Sequence, residues 1–162
     1  MPDECLRKLE GWQADAIRNA KSDRARRRYA CALVRWAMHE FFAYDAEIES
    51  ALALADRLAD GMVDEQERRD MRNKMIAISQ RLGYVYSQEL SKDEKTDGFI
   101  PDASLGDHYH IATAAIFCLN KSAWLGAANA TYEVGSATHV ENITEEEIER
   151  KQREIAGILQ ED

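Results

Sequence analysis

The chain has 162 residues, a net charge of −9 and only two prolines, a composition that favours helices and offers little material for β-turns. No apolar stretch approaches the roughly 20 residues that a membrane span needs, and Met1–Glu4 lacks the basic start of a signal peptide. Cys5, Cys31 and Cys118 form no closely spaced pair, so we expect a reduced, cytoplasmic protein.

The negative charge is unevenly distributed along the chain. Residues 21–35 contain six cations and one anion, a net charge of +5, so the remaining residues carry −14. Because the field of so acidic a chain repels phosphate at a distance, the sequence disfavours a general polyanion binder.

Helical periodicity begins near the N-terminus. Residues 3–20 place apolar side chains on one face, which predicts a first helix. A second helix near 24–44 is apolar around most of its circumference, which is typical of a central, buried helix. We expect Tyr29, Leu33 and Trp36 to lie in its core-facing part.

The next two helices carry terminal signals. Asp45 can cap a third helix that ends before Gly61. Asp64 and Glu67 have capping-box spacing at the start of a long amphipathic helix that ends near residue 90. Residues 91–107 are charged, contain glycine and proline and lack periodicity, which predicts a loop.

The last third of the chain is also helical in pattern. Residues 108–137 are rich in small side chains, which favours close packing between helices. Thr144 and Glu147 have capping-box spacing at the start of the last helix. Since no segment shows strand-like alternation, the sequence predicts an all-α fold, with residues 1–162 forming one domain of five or six helices.

Two segments, SDRARRRYACALVRW and ALALADRLADG, carry a distinctive pattern. In this pattern the chain resembles an uncharacterised bacterial family of all-helical proteins. The matching positions are Ser22, Asp23, Arg24, Arg27, Tyr29, Ala30, Cys31, Ala32, Arg35, Ala51, Ala55, Asp56, Arg57, Ala59, Asp60 and Gly61. Family members often have further cysteines where this chain has Leu33 and Val34, so a thiol metal site loses its support. The resemblance implies a helical fold and no particular activity.

A basic stripe on the second helix is the first candidate site. Its arginines are Arg24, Arg28 and Arg35, with Arg27 beside them. Such a stripe could follow a nucleic-acid backbone at low salt, or it could pair with acidic groups of neighbouring helices. Cations near a helix N-terminus are unfavourable unless anions match them, so we favour internal pairing over nucleic-acid binding. The expected partners are Asp56, Asp60 and Glu40.

Asp107, His108 and His110 are the second candidate, as possible ligands of zinc, nickel or iron. His108 and His110 are two residues apart, so on a helix they point about 200° apart and could share a metal only in an extended segment. The chain has no HExxH motif and no repeated ExxH motif. We expect no metal or cofactor, and a small metal-dependent enzyme that uses these histidines remains the alternative.

Motifs for other catalytic chemistry are missing from the sequence. Cys31 and Cys118 lie in apolar runs, where a thiol usually acts as a small hydrophobic group. The chain has no nucleophile elbow of the G-x-S-x-G type and no glycine-rich phosphate loop. The sequence therefore gives no support to an enzyme.

An acidic face around the last helix is the third candidate. It comprises Glu141, Glu145, Glu146 and Glu149, although glutamates in the first turn also stabilise the helix dipole. Complementary charge suits docking onto a basic protein. We therefore expect a non-catalytic interaction module, either an immunity-like protein or an assembly adaptor. Self-association through the small-residue segment is the competing arrangement.

Overall fold

The computed structural model describes residues 2–41, 44–93, 103–137 and 143–162. Regular structure in these ranges is entirely helical, which confirms the predicted all-α fold. The α-helices are α1 (Pro2–Leu6), α2 (Gly11–Arg18), α3 (Asp23–Phe41), α4 (Ala46–Ala59), α5 (Glu65–Asp93), α6 (Ala103–Cys118), α7 (Ala123–Ala137) and α8 (Glu145–Ala156), and a 3-10 helix follows at Gly157–Gln160. None of the helices in these ranges is long and apolar enough to cross a membrane.

Eight α-helices occupy the described ranges, instead of five or six, because two of the predicted helices are interrupted. The predicted helix 3–20 divides where the Gln13 side chain accepts the backbone N–H of Glu10 at 3.2 Å and starts α2. The small-residue segment divides where Asn120 Oδ1 accepts the backbone N–H of Ser122 at 2.8 Å. Side-chain bonds of this kind satisfy the backbone outside a helix and so allow a break.

The segment predicted as a loop over 91–107 is partly helical. Helix α5 continues to Asp93 and α6 begins at Ala103, while residues 94–102 lie outside the described ranges. Near the start of α6, a Cβ atom added to Gly106 would lie 3.0 Å from the Tyr86 ring on α5. Packing against α5 therefore extends α6 through a sequence whose composition favours a loop.

Helix α3 packs against α4, α6, α7, α8 and the C-terminal 3-10 helix. It is described from Asp23 to Phe41, and Tyr44, at the predicted end, is not helical, while residues 42 and 43 lie outside the described ranges. Tyr29 and Leu33 are buried as expected. Trp36 is only partly buried, because it lies at the edge of the core with its ring against Phe41 at a centroid distance of 5.4 Å.

Close packing of α6 on α7 depends on small side chains. A Cβ atom on Gly126 would lie 2.6 Å from the backbone oxygen of Phe117. The two helices are therefore so close at this point that only glycine fits. Ala127, Ala128 and Ala130 of α7 are also buried. These small residues serve packing within the chain, and we do not propose self-association through them.

Helix α8 packs against α3 and the C-terminal 3-10 helix. Thr144 Oγ1 accepts the backbone N–H of Glu147 at 3.2 Å, and the Glu147 side chain accepts that of Thr144 at 3.0 Å, which confirms the predicted capping box. Ile148 and Ile155 are buried on the inner face of α8. In the 3-10 helix that follows, the Leu159 carbonyl accepts the backbone N–H of Lys21 at 2.9 Å and ties the C-terminal segment to the entrance of α3.

Candidate functional site

The basic stripe of α3 faces the acidic side of α4. Arg24 Nε and Arg28 Nη2 lie 2.8 and 3.2 Å from Asp60 Oδ1. Arg35 lies 3.0 Å from Asp56. The same guanidinium also pairs with Glu49 at 3.0 Å. Asp56 and Asp60 were named from the sequence, whereas Glu49 takes the place expected for Glu40.

Two members of these ion pairs, Asp60 and Arg35, have shifted pKa values. The hydrogen bond from Arg24, with the nearby charge of Arg28, lowers the pKa of Asp60. Burial alone would lower the pKa of Arg35, but its hydrogen bonds to Glu49 and Asp56 raise it above the ordinary value. The ion pairs of Arg24, Arg28 and Arg35 therefore clamp α3 to α4.

Three further arginines cover the carbonyl ends of helices. Arg27 was expected to pair with an acidic group, but it instead donates to the backbone oxygens of Asn120 and Lys121, both at 2.7 Å, just beyond the end of α6. Arg68 on α5 donates to the Leu119 oxygen at 2.7 Å. Arg26 likewise donates to backbone oxygens at the end of α2. Its guanidinium carbon lies 4.1 Å from the centre of the Trp124 ring. Cations at these positions satisfy carbonyls that have no helical partner and match the negative end of the dipole.

His108 and His110 point to different neighbours of α6. His108 Nε2 lies 2.8 Å from Asp45 Oδ2 at the start of α4, and His110 Nδ1 lies 2.8 Å from Glu133 Oε2 on α7. Asp107 is only 3% exposed. In the ranges that the structure describes, no group of three or more His, Cys, Asp or Glu side chains is arranged to hold a metal. Both histidines instead connect helices.

The Asp45 carboxylate has two structural roles. It accepts the backbone N–H groups of Glu47 and Ile48 at 2.9 and 3.1 Å, as predicted for a cap of α4, and it also pairs with His108. Partial burial tends to raise the pKa of Asp45, but the His108 and backbone hydrogen bonds outweigh it, so the pKa lies below its usual value.

Cys31 and Cys118 meet inside the core, between α3 and α6, and both thiols are free. The hydrogen bond that the Cys31 S–H donates to Cys118, followed by burial, raises the pKa of Cys31 well above its ordinary value. A thiol held in its protonated form is a poor nucleophile, which agrees with the hydrophobic role expected from the sequence.

The acidic residues of α8 line a cleft of about 650 Å³. Three of the four glutamates named from the sequence, Glu145, Glu146 and Glu149, lie on its wall. The fourth, Glu141, lies outside the described residues. Helix α7 and the segment 8–13 provide the other walls, so the cleft is formed by parts of the chain that are distant in sequence. A cleft of this size falls in the range that proteins use for small molecules or side chains of a partner.

An ammonium group of the chain lies in this cleft. Lys8 Nζ lies over the Tyr132 ring, 5.3 Å from its centre. The Tyr132 side chain is 43% exposed, while Leu9 and Ile148 supply apolar surface nearby. Thr131, at the base, is buried and bonded to the Tyr29 hydroxyl at 3.0 Å, which fixes α7 against α3.

The charges around the cleft are strongly unequal. Among the residues that the structure describes, four carboxylates line it, those of Glu10, Glu145, Glu146 and Glu149, against the single ammonium of Lys8. Glu149 pairs with Arg153 at 3.0 Å, whereas Glu145 and Glu146 form no ion pair with any residue that the structure describes. The arrangement is chemically suited to an additional cation, with apolar surface for its stem.

Sequence reasoning found only one wall of the cleft. Lys8, Glu10 and Tyr132 gave no signal as site residues, because more than a hundred positions separate the first two from the third. Glu10 and Gln13 do have capping-box spacing, which could have located the start of α2 and hence the second wall. No protein-family model, curated protein or solved structure matches this chain.

Proposed function

We propose that this protein is a non-catalytic cytoplasmic interaction module that docks a basic protein through the cleft between α2, α7 and α8. An immunity-like role or an assembly-adaptor role is compatible with this chemistry. Association with a basic partner would be accelerated by the overall charge of −9, since complementary charge acts mainly on the association rate.

One observation carries the proposal. Glu145 and Glu146 are exposed, line the cleft and have no cationic partner among the described residues. The dipole of α8 gives both a local role, but it does not require a cleft in front of them. The arginines of α3, by contrast, are engaged with carboxylates or carbonyls, so no observation favours the nucleic-acid alternative.

A binding experiment with a defined cationic probe tests the proposal. A short fluorescein-labelled peptide of lysine, glycine and leucine is titrated with the protein, and fluorescence anisotropy reports its affinity. Replacing Glu145, Glu146 and Glu149 together by glutamine should weaken binding about tenfold, because exposed ion pairs contribute about 0.5 kcal/mol each.

The matched control changes the same net charge elsewhere. Glu40, Glu47 and Glu161 are exposed and lie outside the cleft, and Glu47 occupies the first turn of α4 as Glu145 does in α8. Their joint replacement by glutamine should leave the affinity within about twofold of the parent. Equal losses in the two triple variants would mean that the peptide responds to net charge only, and the proposal would be wrong.

We also infer that the chain belongs to the helical bacterial family described above. The structural roles of the residues that carry the family pattern support this inference. Ser22 Oγ accepts the backbone N–H of Ala25 at the start of α3. Arg24 pairs with Asp60, and Gly61 has a φ of +70°, the left-handed conformation that ends a helix. A pattern with these roles would identify the ion-paired contact between α3 and α4. It would therefore indicate a shared fold rather than a shared activity.

A further inference from the structure

The cleft contains an internal cation that occupies an aromatic surface. Lys8 Nζ lies over the Tyr132 ring at 5.3 Å from the ring centre, and both residues line the cleft together with the glutamates of α8. An ammonium within about 6 Å of an aromatic face gains from the ring quadrupole. The position over Tyr132 is therefore a place where a cation is stabilised.

A second cation, Arg153 on α8, also lies over an aromatic face. The Arg153 guanidinium carbon is 4.4 Å from the centre of the Trp12 ring, and Arg153 pairs with Glu149 at 3.0 Å. Trp12 Nε1 donates to Glu10 at 3.0 Å, which orients the indole. Arg153 thus has both an aromatic and a carboxylate partner, whereas Lys8 has only the ring among the described residues.

We propose that Tyr132 is the recognition site for a lysine or arginine side chain of the basic protein partner, and that Lys8 holds this site in the free protein until the partner's cation displaces it. The inference rests on the proposed function and specifies its central contact. The incoming cation would take the ring face of Tyr132 with Glu145 and Glu146 at the same cleft, and its alkyl stem would contact Leu9 and Ile148.

Removal of the internal competitor provides the test. Lys8→Met should raise the affinity for the lysine–leucine peptide about two- to fivefold, because it vacates the ring. Arg7→Met is the matched control: Arg7 is exposed, adjacent in sequence and absent from the cleft wall, so it changes the net charge equally. Lys8→Arg, which retains a cation for the ring, should behave like the parent.

Variants of the ring complete the design. Tyr132→Leu should weaken peptide binding about two- to fivefold, whereas Tyr132→Phe should preserve it. When Tyr132→Leu is also present, Lys8→Met should no longer raise the peptide affinity more than Arg7→Met does. Tyr132 is 43% exposed, so these variants should fold, and circular dichroism checks that they do.

The outcomes separate this inference from the proposed function. If the triple glutamine variant loses binding but Lys8→Met and Arg7→Met have equal effects, the cleft binds a basic partner and the displacement of Lys8 is wrong. If the triple variant also behaves like its control, both are wrong. Spermidine that competes as strongly as the peptide would show a free polyamine to be the occupant and would overturn a protein partner.

Discussion

Buried arginines connect the helix ends at the scale of single residues. Arg68 and Arg69 are neighbours on α5 and both lie near Glu65, at 2.7 and 3.5 Å. Their environments differ, since the Arg68 side chain is 10% exposed and caps the Leu119 carbonyl, whereas that of Arg69 is 59% exposed. The two arginines have the same charge and adjacent positions, so they differ mainly in burial and in the Leu119 contact.

Arg68→Met should lower the free energy of unfolding by about 2–3 kcal/mol, because it leaves a buried carbonyl without its donor. Arg69→Met removes the same charge from the surface and should cost less than about 0.5 kcal/mol. Urea unfolding followed by circular dichroism measures both. Similar values for the two variants would show that the Leu119 cap contributes little.

Asp45 gives the structure a defined response to acid. A carboxyl whose folded-state pKa is lowered contributes stability that is present above its unfolded pKa, about 3.9, and is lost as the pH falls through the folded value. Asp45→Asn keeps a cap for α4 but removes the charge that faces His108.

The parent should therefore be more stable than Asp45→Asn at neutral pH, and this difference should shrink as the pH is lowered below about 4. Urea unfolding at a series of pH values measures the difference directly. A difference in unfolding free energy that stays constant down to about pH 2 would contradict the role assigned to the Asp45 carboxylate.

Two glycines of α7 test the packing of whole helices. Gly126 touches the α6 backbone, whereas a Cβ atom on Gly135 would meet nothing within 4 Å. Gly126→Ala should destabilise the protein by about 1–3 kcal/mol through overpacking. Gly135→Ala in the same helix should stabilise it by up to about 1 kcal/mol. Thermal unfolding of both variants checks the opposite signs, and two shifts in the same direction would refute the close approach of α6 and α7.

The helices were more predictable from the sequence than their interruptions. The capping residues Asp45 and Thr144 gave the starts of α4 and α8, because a cap acts within one turn. The start of α6 at Ala103 was missed, since it depends on packing against α5, which local composition does not encode. The roles of Arg26 and Arg68 were missed for the same reason: burial separates them from their exposed neighbours.

At the scale of the whole molecule, the fold separates two kinds of charge. Arg24, Arg28 and Arg35 of α3 are matched within the chain by Asp56, Asp60 and Glu49, and they hold helices together. The carboxylates of Glu145 and Glu146 remain without a cationic partner among the described residues and line a cleft. The sequence indicated both groups but could not show that the cleft includes Lys8 and Tyr132, because only the packing of α7 against the N-terminal segment brings them together.

An NMR titration tests the cleft as the docking surface most directly. The lysine–leucine peptide is added to ¹⁵N-labelled protein, and the backbone amide shifts are followed. We expect the largest shifts in residues 8–13, 131–136 and 145–152, which form the three walls, and their reversal at about 0.5 M salt, where screening is strong. Shifts centred on α4 or on the exposed end of α5, with the three walls unchanged, would contradict the account.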